Sequence, residues 1–365
     1  MKDPRKRRWG DYLFLERIRW DVALLLFPLL IISWIYGLVV WIRIKLYQAG
    51  LLKQAQLPCK VISVGNVTLG GTGKTPMVAH LAREIQKKGV KVGIVSRGYK
   101  GLKEDEGGVL SDGENIYMTP AEAGDEPFML AKMLADIPVL VGRNRYEVGL
   151  YAYERFGLDV LILDDGFQHL GIKRDLDIVL IDTRRGFGNG HLFPRGPLRE
   201  PLRGLRRASF LVLSKTESSQ PMRKIEGVLR DLAPAVPFCH SRYKPDYLME
   251  ASSGRVFPPQ FVQGKRAFAF AGIADPDYFI HVLEELGAEM VKEVRFPDHH
   301  RYASKDVRMM REYRDIAEVF VTTEKDYVKL QDIPFGDLPL FILGVVQEIW
   351  EEEAFFRTVL SALLS

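Results

Sequence analysis

"VISVGNVTLGGTGKTPM", residues 61–77, runs from an apolar stretch into a glycine cluster and then into Lys-Thr-Pro. A strand, a glycine-rich turn and a helix opening on Lys-Thr form a phosphate-binding loop, whose backbone amides face anionic oxygens. The pattern G-x-x-x-x-G-K-[ST] ending at Gly73-Lys74-Thr75 asks for glycine at position 68, where the chain has Thr68. A glycine-rich turn that only packs a helix on a strand is the plainer alternative. Context favours the cradle: "KVISVG" reads as a strand, and Pro76 is comfortable in a first helical turn, where its missing N–H costs nothing. The amides of Gly70, Gly71, Thr72 and Gly73 would point at phosphate oxygens. Lys74 would reach the β- and γ-phosphates of a nucleoside triphosphate, and the Thr75 hydroxyl would hold Mg²⁺.

After residue 57, short apolar runs alternate with helical patterns. In "TPMVAHLAREIQKKG", Val78, Leu81, Ala82 and Ile85 share one face and Gly89 suits the end. "VKVGIVSRG", "IPVLVG", "LDVLILDD", "LDIVLID" and "ASFLVLSKTE" read as strands, and "GDEPFMLAKMLAD" and "NRYEVGLYAYERFG" as helices. Nearly continuous apolar strands between helices predict a parallel sheet covered on both faces. Near residue 240 a second α/β unit begins at "KRAFAFAGIADPDYFIHVLEELGAEMVKEVRFPDHH" and continues through "AEVFVTTEKDYVKL" and "LPLFILG". The expected class is α/β, with a P-loop NTPase-like parallel sheet over residues 58–239 and a smaller C-terminal α/β subdomain over 240–365. Residues 1–57 supply a basic N-terminus and an apolar helix.

With 365 residues, 47% apolar and 27% charged, the chain is globular rather than disordered. Cys59 and Cys239 offer neither a disulfide framework nor a zinc cluster, which fits a reducing compartment. Residues 22–42, "VALLLFPLLIISWIYGLVVWI", carry no charge, and at 1.5 Å per residue a helix of that length covers about 30 Å. Trp20, Trp34, Tyr36, Trp41 and Tyr47 suit a membrane interface. Basic residues flank the run on both sides, so the positive-inside rule gives no orientation: the helix spans, dips and returns with Pro28, Ser33 and Gly37 easing a bend, or lies in the interface. The expectation is a membrane anchor.

A nucleotide site needs a metal-holding carboxylate at a neighbouring strand end, and "VLILDD" supplies Asp164 and Asp165. Successive strand residues face opposite ways, so the two carboxylates take different jobs. Asp125 in "AGDEPFML" opens a helix, where capping and catalysis are equal readings. Asp298, His299 and His300 in "FPDHHRY" put a potential base or shuttle beside a carboxylate; a zinc site lacks the companion ligands. Residues 184–207 carry seven arginines against Glu200 alone, in a Gly- and Pro-rich loop. Guanidinium forks match phosphate oxygens, which points to an anionic substrate or anionic lipid surface. Nucleic acid is excluded as a partner by the lack of a basic helix or stacking aromatics.

"SVGNVTLGGTGKTP", "SRGYKG", "GDEP", "LILDDGFQH", "GPLREPL", "FPDHH" and "TTEKD" follow in this order, and the series resembles the tetraacyldisaccharide 4′-kinases, the lipid A 4′-kinase (LpxK) family, from about residue 20 to the C-terminus. That family carries the "VGN…GGTGKTP" form, so Thr68 is a family trait. The resemblance implies transfer of the ATP γ-phosphate, with Mg²⁺, to the 4′-hydroxyl of a tetraacylated, 1-phosphorylated glucosamine disaccharide. The lipid A precursor and an anionic membrane surface are the implied partners, with no obligate protein partner, at the cytoplasmic face of the inner membrane. It implies Asp125 as base paired with the histidine of "DHH", with His299 favoured over His300. Lys74 and Asp165 join them as catalytic groups. Asp164 and Glu200 take metal-supporting roles with Thr75, and Asn66, Gln168, His169 and Arg199 lie around the transferred phosphate and the sugar.

A nucleotide switch or ATPase tethered to a membrane is the rival. It rests on "SKTE" at residues 214–217, which matches the guanine-reading [NT]-K-x-D element at two of four positions. A soluble small-molecule kinase, the third reading, leaves the apolar N-terminus without a purpose.

Overall fold

The computed structural model describes residues 26–216, 220–330 and 333–364. The first four residues of the apolar run, Trp20 and the basic segment ahead of it lie outside the described residues.

The chain forms two compact units: the first contains the described residues of 1–95, 145–242 and 349–365, and the second contains 96–144 and 243–348. The described residues before 58 belong to the first unit, and two further segments change sides relative to the expected division. Segment 96–144 joins the second unit because its helix Asp125–Met133 packs against the helix Glu324–Val328. The last helix, Glu352–Leu364, joins the first unit, where Phe355 meets Phe210 edge-on at 5.2 Å between ring centroids. Apolar periodicity shows that a helix buries one face; it does not show against what.

In the first unit the parallel strands run in the order Val92–Ser96, Val160–Asp164, Lys60–Asn66, Leu176–Asp182 and Phe210–Ser214, followed by the start of Phe238–Glu250. The strands Val160–Asp164, Leu176–Asp182 and Phe210–Ser214 are buried at every position, as a sheet covered on both faces requires. Lys60–Asn66 is interior to the sheet, so the carboxyl ends of its neighbours surround the loop that follows it. Open parallel sheets bind ligands at such carboxyl ends.

In the second unit Glu289–Arg295, Arg266–Ala271, Val319–Thr323 and Leu340–Ile349 are parallel neighbours in that order. Phe268, Phe270 and Phe320 fill one side of this sheet, with the Phe268 and Phe320 rings 5.1 Å apart.

The apolar N-terminal run forms one unbroken helix, Phe27–Gln48, with Pro28 in its first turn and no break at Ser33 or Gly37. It is about 33 Å long, with a mean hydropathy of 1.9 over its most apolar window. Small and polar residues form its inner stripe. Ser33 Oγ donates to Leu192 O at 2.7 Å and accepts from the Arg195 N–H at 2.9 Å, and the Tyr36 hydroxyl donates to Arg199 O at 2.7 Å. Gly37 lies so close to Leu192 that a Cβ would meet its Cδ1 at 2.6 Å. Positions 33, 36 and 37 thus fasten the helix to the arginine-rich loop, while Ile31, Ile32, Trp34, Ile35, Leu38, Val39, Trp41 and Ile42 are exposed. Ser33 and Gly37, which at sequence level serve a bend, serve close docking instead.

Candidate active site

The phosphate loop follows Asn66, and its backbone is held from three directions. On one flank the Leu69 N–H donates to Pro197 O at 2.7 Å, the Arg199 N–H donates to Val67 O at 2.9 Å, and Thr68 forms an antiparallel bridge with Leu198. Position 68 is therefore a buried, bridged residue and is absent from the positive-φ positions, so it has no need of glycine. Gly70 and Gly73 do have left-handed backbones, at φ of 106° and 95°, and Gly73 caps the helix Lys74–Gln86. From beneath, Asn66 Nδ2 donates to Thr72 Oγ1 at 2.9 Å. On the other flank Ser214 Oγ donates to Thr72 O at 2.7 Å, and Lys215 Nζ donates to Gly71 O at 3.0 Å and to Asp182 Oδ2 at 2.6 Å. Carbonyls held inward leave the loop's amides to face outward at a helix N-terminus, which is the anion-binding arrangement.

Lys215 is a contributor that sequence reading placed elsewhere. The "SKTE" element, set against a guanine-reading motif, supplies a buried lysine that braces the loop; Glu217 lies outside the described residues. The Lys215–Asp182 pair is almost fully buried, at 2% and 3% side-chain exposure. Lys215→Met leaves the Asp182 carboxylate without its cation and is expected to destabilise the fold by about 3–5 kcal/mol, measured by chemical denaturation. A loss below about 1 kcal/mol, the worth of a surface pair, would show that the pair is not a brace.

Beside the loop, Lys74 Nζ lies 3.6 Å from Asp165 Oδ1, and Arg199 Nη1 donates to both oxygens of Asp165 at 2.8 Å. Arg145, buried and not singled out in the sequence, donates to the Asp165 carbonyl at 3.0 Å. Burial works against charge on Asp165, but Lys74 and then Arg199 outweigh it and hold the carboxyl well below the usual carboxylate range. Asp165 has φ of 53°, which turns the chain sharply after its strand and separates it from Asp164, the last residue of Val160–Asp164.

Gln168 Nε2 donates to Asn66 O and to Glu200 Oε1, both at 2.8 Å, and Glu200 Oε2 pairs with Arg207 Nη2 at 2.8 Å. Glu200 is 1% exposed, and these contacts fix its carboxylate between Gln168 and Arg207. Asn66 is fully buried under the loop, where its Nδ2 holds Thr72. His169 belongs to the same turn: its N–H donates to Gly166 O, and its carbonyl accepts from Arg174. For Mg²⁺ the oxygen donors that fit are the Thr75 hydroxyl and the Asp164 carboxylate, at a helix start and a strand end. Mg²⁺ asks for few protein ligands and keeps waters and phosphate oxygens in the rest of its shell.

In the second unit, Asp125 is the first residue of its helix. Thr119 and Glu122 close a capping box over Pro120–Ala123, and Gly124, at φ 90° and ψ 153°, caps the next helix with backbone alone. Asp125 therefore does not cap. Its Oδ2 faces His299 Nδ1 at 3.2 Å, and since an ionised carboxylate only accepts, that nitrogen carries the proton. His299 is left-handed, at φ 59°, with its N–H bonded to Gly272 O and Asp298 Oδ1. His300 turns away, with Nε2 3.1 Å from Asp306 Oδ2 and its ring stacked on Phe296. Of five non-glycine positive-φ positions among the described residues, three are Asp165, Lys215 and His299. Strain of that kind persists where surrounding contacts impose it, and it gathers at functional sites.

The profile of the family described as Tetraacyldisaccharide-1-P 4′-kinase matches residues 25–364. The chain belongs to this family. The tetraacyldisaccharide 4′-kinase of Syntrophus aciditrophicus is 42% identical over 345 residues, covering 91% of this chain and 92% of that one. That of Desulfatibacillum aliphaticivorans is 40% identical, covering 89% of each. Among solved structures, the "apo" form of LpxK from Aquifex aeolicus in complex with ATP is similar at 32% identity and a TM-score of 0.72, covering 94% of this chain and 99% of that one. The α/β class built on a phosphate loop, read from the sequence, is thus the class of this 4′-kinase family member.

Proposed function

We propose that this chain is an ATP-dependent lipid kinase that transfers the γ-phosphate of ATP to the 4′-hydroxyl of a tetraacylated, 1-phosphorylated glucosamine disaccharide. The product is the 4′-phosphorylated lipid A precursor, lipid IVA. The observation that carries this reading is a braced phosphate loop with Lys74 and Arg199 converging on Asp165, in a chain that matches the family over residues 25–364. In the reaction the acceptor oxygen bonds to the γ-phosphorus, the bond from that phosphorus to the bridging oxygen breaks, and ADP leaves. Asp125, backed by His299, takes the hydroxyl proton. Lys74 and Arg199 carry positive charge to where negative charge spreads over the transferring group. Thr75 and Asp164 would hold Mg²⁺, which supplies further neutralisation of phosphate oxygens when bound. Gln168 and Glu200 set the turn that presents Arg199.

The decisive assay follows label from γ-labelled ATP into purified tetraacyl-disaccharide 1-phosphate in detergent micelles. Label in the lipid is the expected result. Label released only as inorganic phosphate, or equal use of GTP with no lipid product, would favour the switch reading instead.

The helix Phe27–Gln48 attaches the kinase to the inner membrane at its cytoplasmic face, with the exposed Arg184, Arg203 and Arg206 serving anionic headgroups. Its long exposed apolar side supports this reading. Ile35→Glu with Leu38→Glu places two charges on that side, each costing about 2.5–3.5 kcal/mol at a helix centre in lipid. Co-sedimentation with anionic vesicles is expected to fall at least about tenfold, with ATP binding retained. Unchanged sedimentation would contradict the anchor.

A further inference from the structure

"TTEKD", residues 322–326, is a quoted motif that the phosphate chemistry leaves without a task. Lys325 Nζ donates to Glu126 Oε1 at 2.9 Å and to Asp298 Oδ1 at 3.4 Å. Glu126 follows Asp125 in the helix Asp125–Met133, and Asp298 precedes His299 in its loop. The Glu126–Lys325–Asp298 bridge is therefore a second link beside the Asp125–His299 contact, joining the same two backbone segments.

The rest of the motif fixes the other end of His299. Asp326 Oδ2 accepts from the Gly272 N–H at 2.9 Å and from Thr323 Oγ1 at 2.9 Å. Lys329 Nζ pairs with Asp326 Oδ1 at 2.7 Å and donates to Gly272 O at 3.2 Å. Gly272 O is also the acceptor for the His299 N–H, so this network anchors the backbone on which the imidazole stands.

We propose that Lys325 is a positioning residue for the Asp125–His299 pair: by tying Glu126 to Asp298 it fixes the approach of the carboxylate to the imidazole. It also neutralises two carboxylates that would otherwise repel the charge on Asp125. The inference rests on the reading of Asp125 as the base. Burial disfavours charge on Lys325, yet Glu126 and Asp298 outweigh it and push its pKa up, so the ammonium persists at any working pH. The charged groups around Asp125 are Glu126 on its own helix, Asp298 and His299 from the loop, and Lys325, Asp326 and Lys329 from the facing helix and its end.

The test is the pH profile of lipid phosphorylation by Lys325→Met, Lys325→Arg, Glu126→Gln, Asp298→Asn and Asp125→Ala in the full chain, with ATP KM and melting temperature measured alongside. Lys325→Met is expected to lower kcat about 10- to 100-fold through misplacement, with ATP KM within about twofold. Its acid limb should move up by about one pH unit, because two uncompensated carboxylates raise the Asp125 pKa. Lys325→Arg should recover part of the loss. Glu126→Gln removes a negative charge and should move the limb down. Opposite shifts are a signature that a packing role would not produce. Wild-type kcat and acid limb in Lys325→Met, or shifts of the same sign in both variants, would overturn the proposal. If Lys325→Met fails to fold, Glu126→Gln and Asp298→Asn carry the same test, each lowering kcat and the limb, and wild-type behaviour in both overturns it. Near-normal kcat in Asp125→Ala would overturn the base reading and this proposal together. An inactive Asp125→Ala beside a wild-type Lys325→Met would sink the positioning role alone.

Discussion

Asp125→Ala is expected to lower kcat by about two to four orders of magnitude while ATP binding stays nearly intact. Three features of the site support so large an effect. Asp125 stands at a helix N-terminus, where the macrodipole favours its ionised form. It accepts from His299, which orients it. Burial raises its pKa, but the His299 hydrogen bond and the charges of Lys329 and Lys325 outweigh that and leave it below the ordinary carboxylate value. The base is therefore ready at neutral pH, and the acid limb of kcat should fall below the usual carboxylate range. His299→Ala removes the largest lowering influence and should move that limb upward. The linkage to stability has the matching sign: a depressed folded-state pKa contributes stability above the unfolded pKa, and that contribution is lost as pH falls through the folded value. Near-normal kcat in Asp125→Ala would take the residue out of the chemistry and leave it a helix-start carboxylate.

Lys74→Ala should cost about 10²–10³-fold in phosphate transfer, the usual consequence of removing one preorganised charge from a transition state. The fold should survive, because Asp165 keeps its two contacts to Arg199 and the loop keeps its braces from Ser214 and Lys215. The check is single-turnover transfer from γ-labelled ATP, read with the melting temperature. Transfer at the wild-type rate would mean that residues 70–75 form a packing turn and that the charge on the phosphates is met elsewhere. A collapsed melting temperature would mean instead that Lys74 mainly neutralises Asp165.

Local rules made much of this protein legible in its amino-acid order. The phosphate loop, its strand and its helix follow from contiguous residues whose backbone needs are local, with Gly73 left-handed and Pro76 in the first turn. The fully apolar strands announced a sheet covered on both faces. Residues 27–42 declared a long apolar helix through composition alone. Pairings between distant segments were not legible, because nothing in a local pattern says which side chains meet. Ordered motifs named Asp125 and His299, yet 174 positions separate them and only packing brings them within 3.2 Å. Thr68 looked like a missing glycine until Leu198 was seen bridged to it. Lys215 looked like half of a base-reading motif, and the structure places its ammonium under the loop. The burial of Glu200 and Asn66, and the contacts of Glu200 with Gln168 and of Asn66 with Thr72, were likewise not legible in the sequence. Secondary structure and loop chemistry depend on residues within a few positions of one another, whereas the burial, partner and charge state of a side chain depend on which segments the folded core brings together.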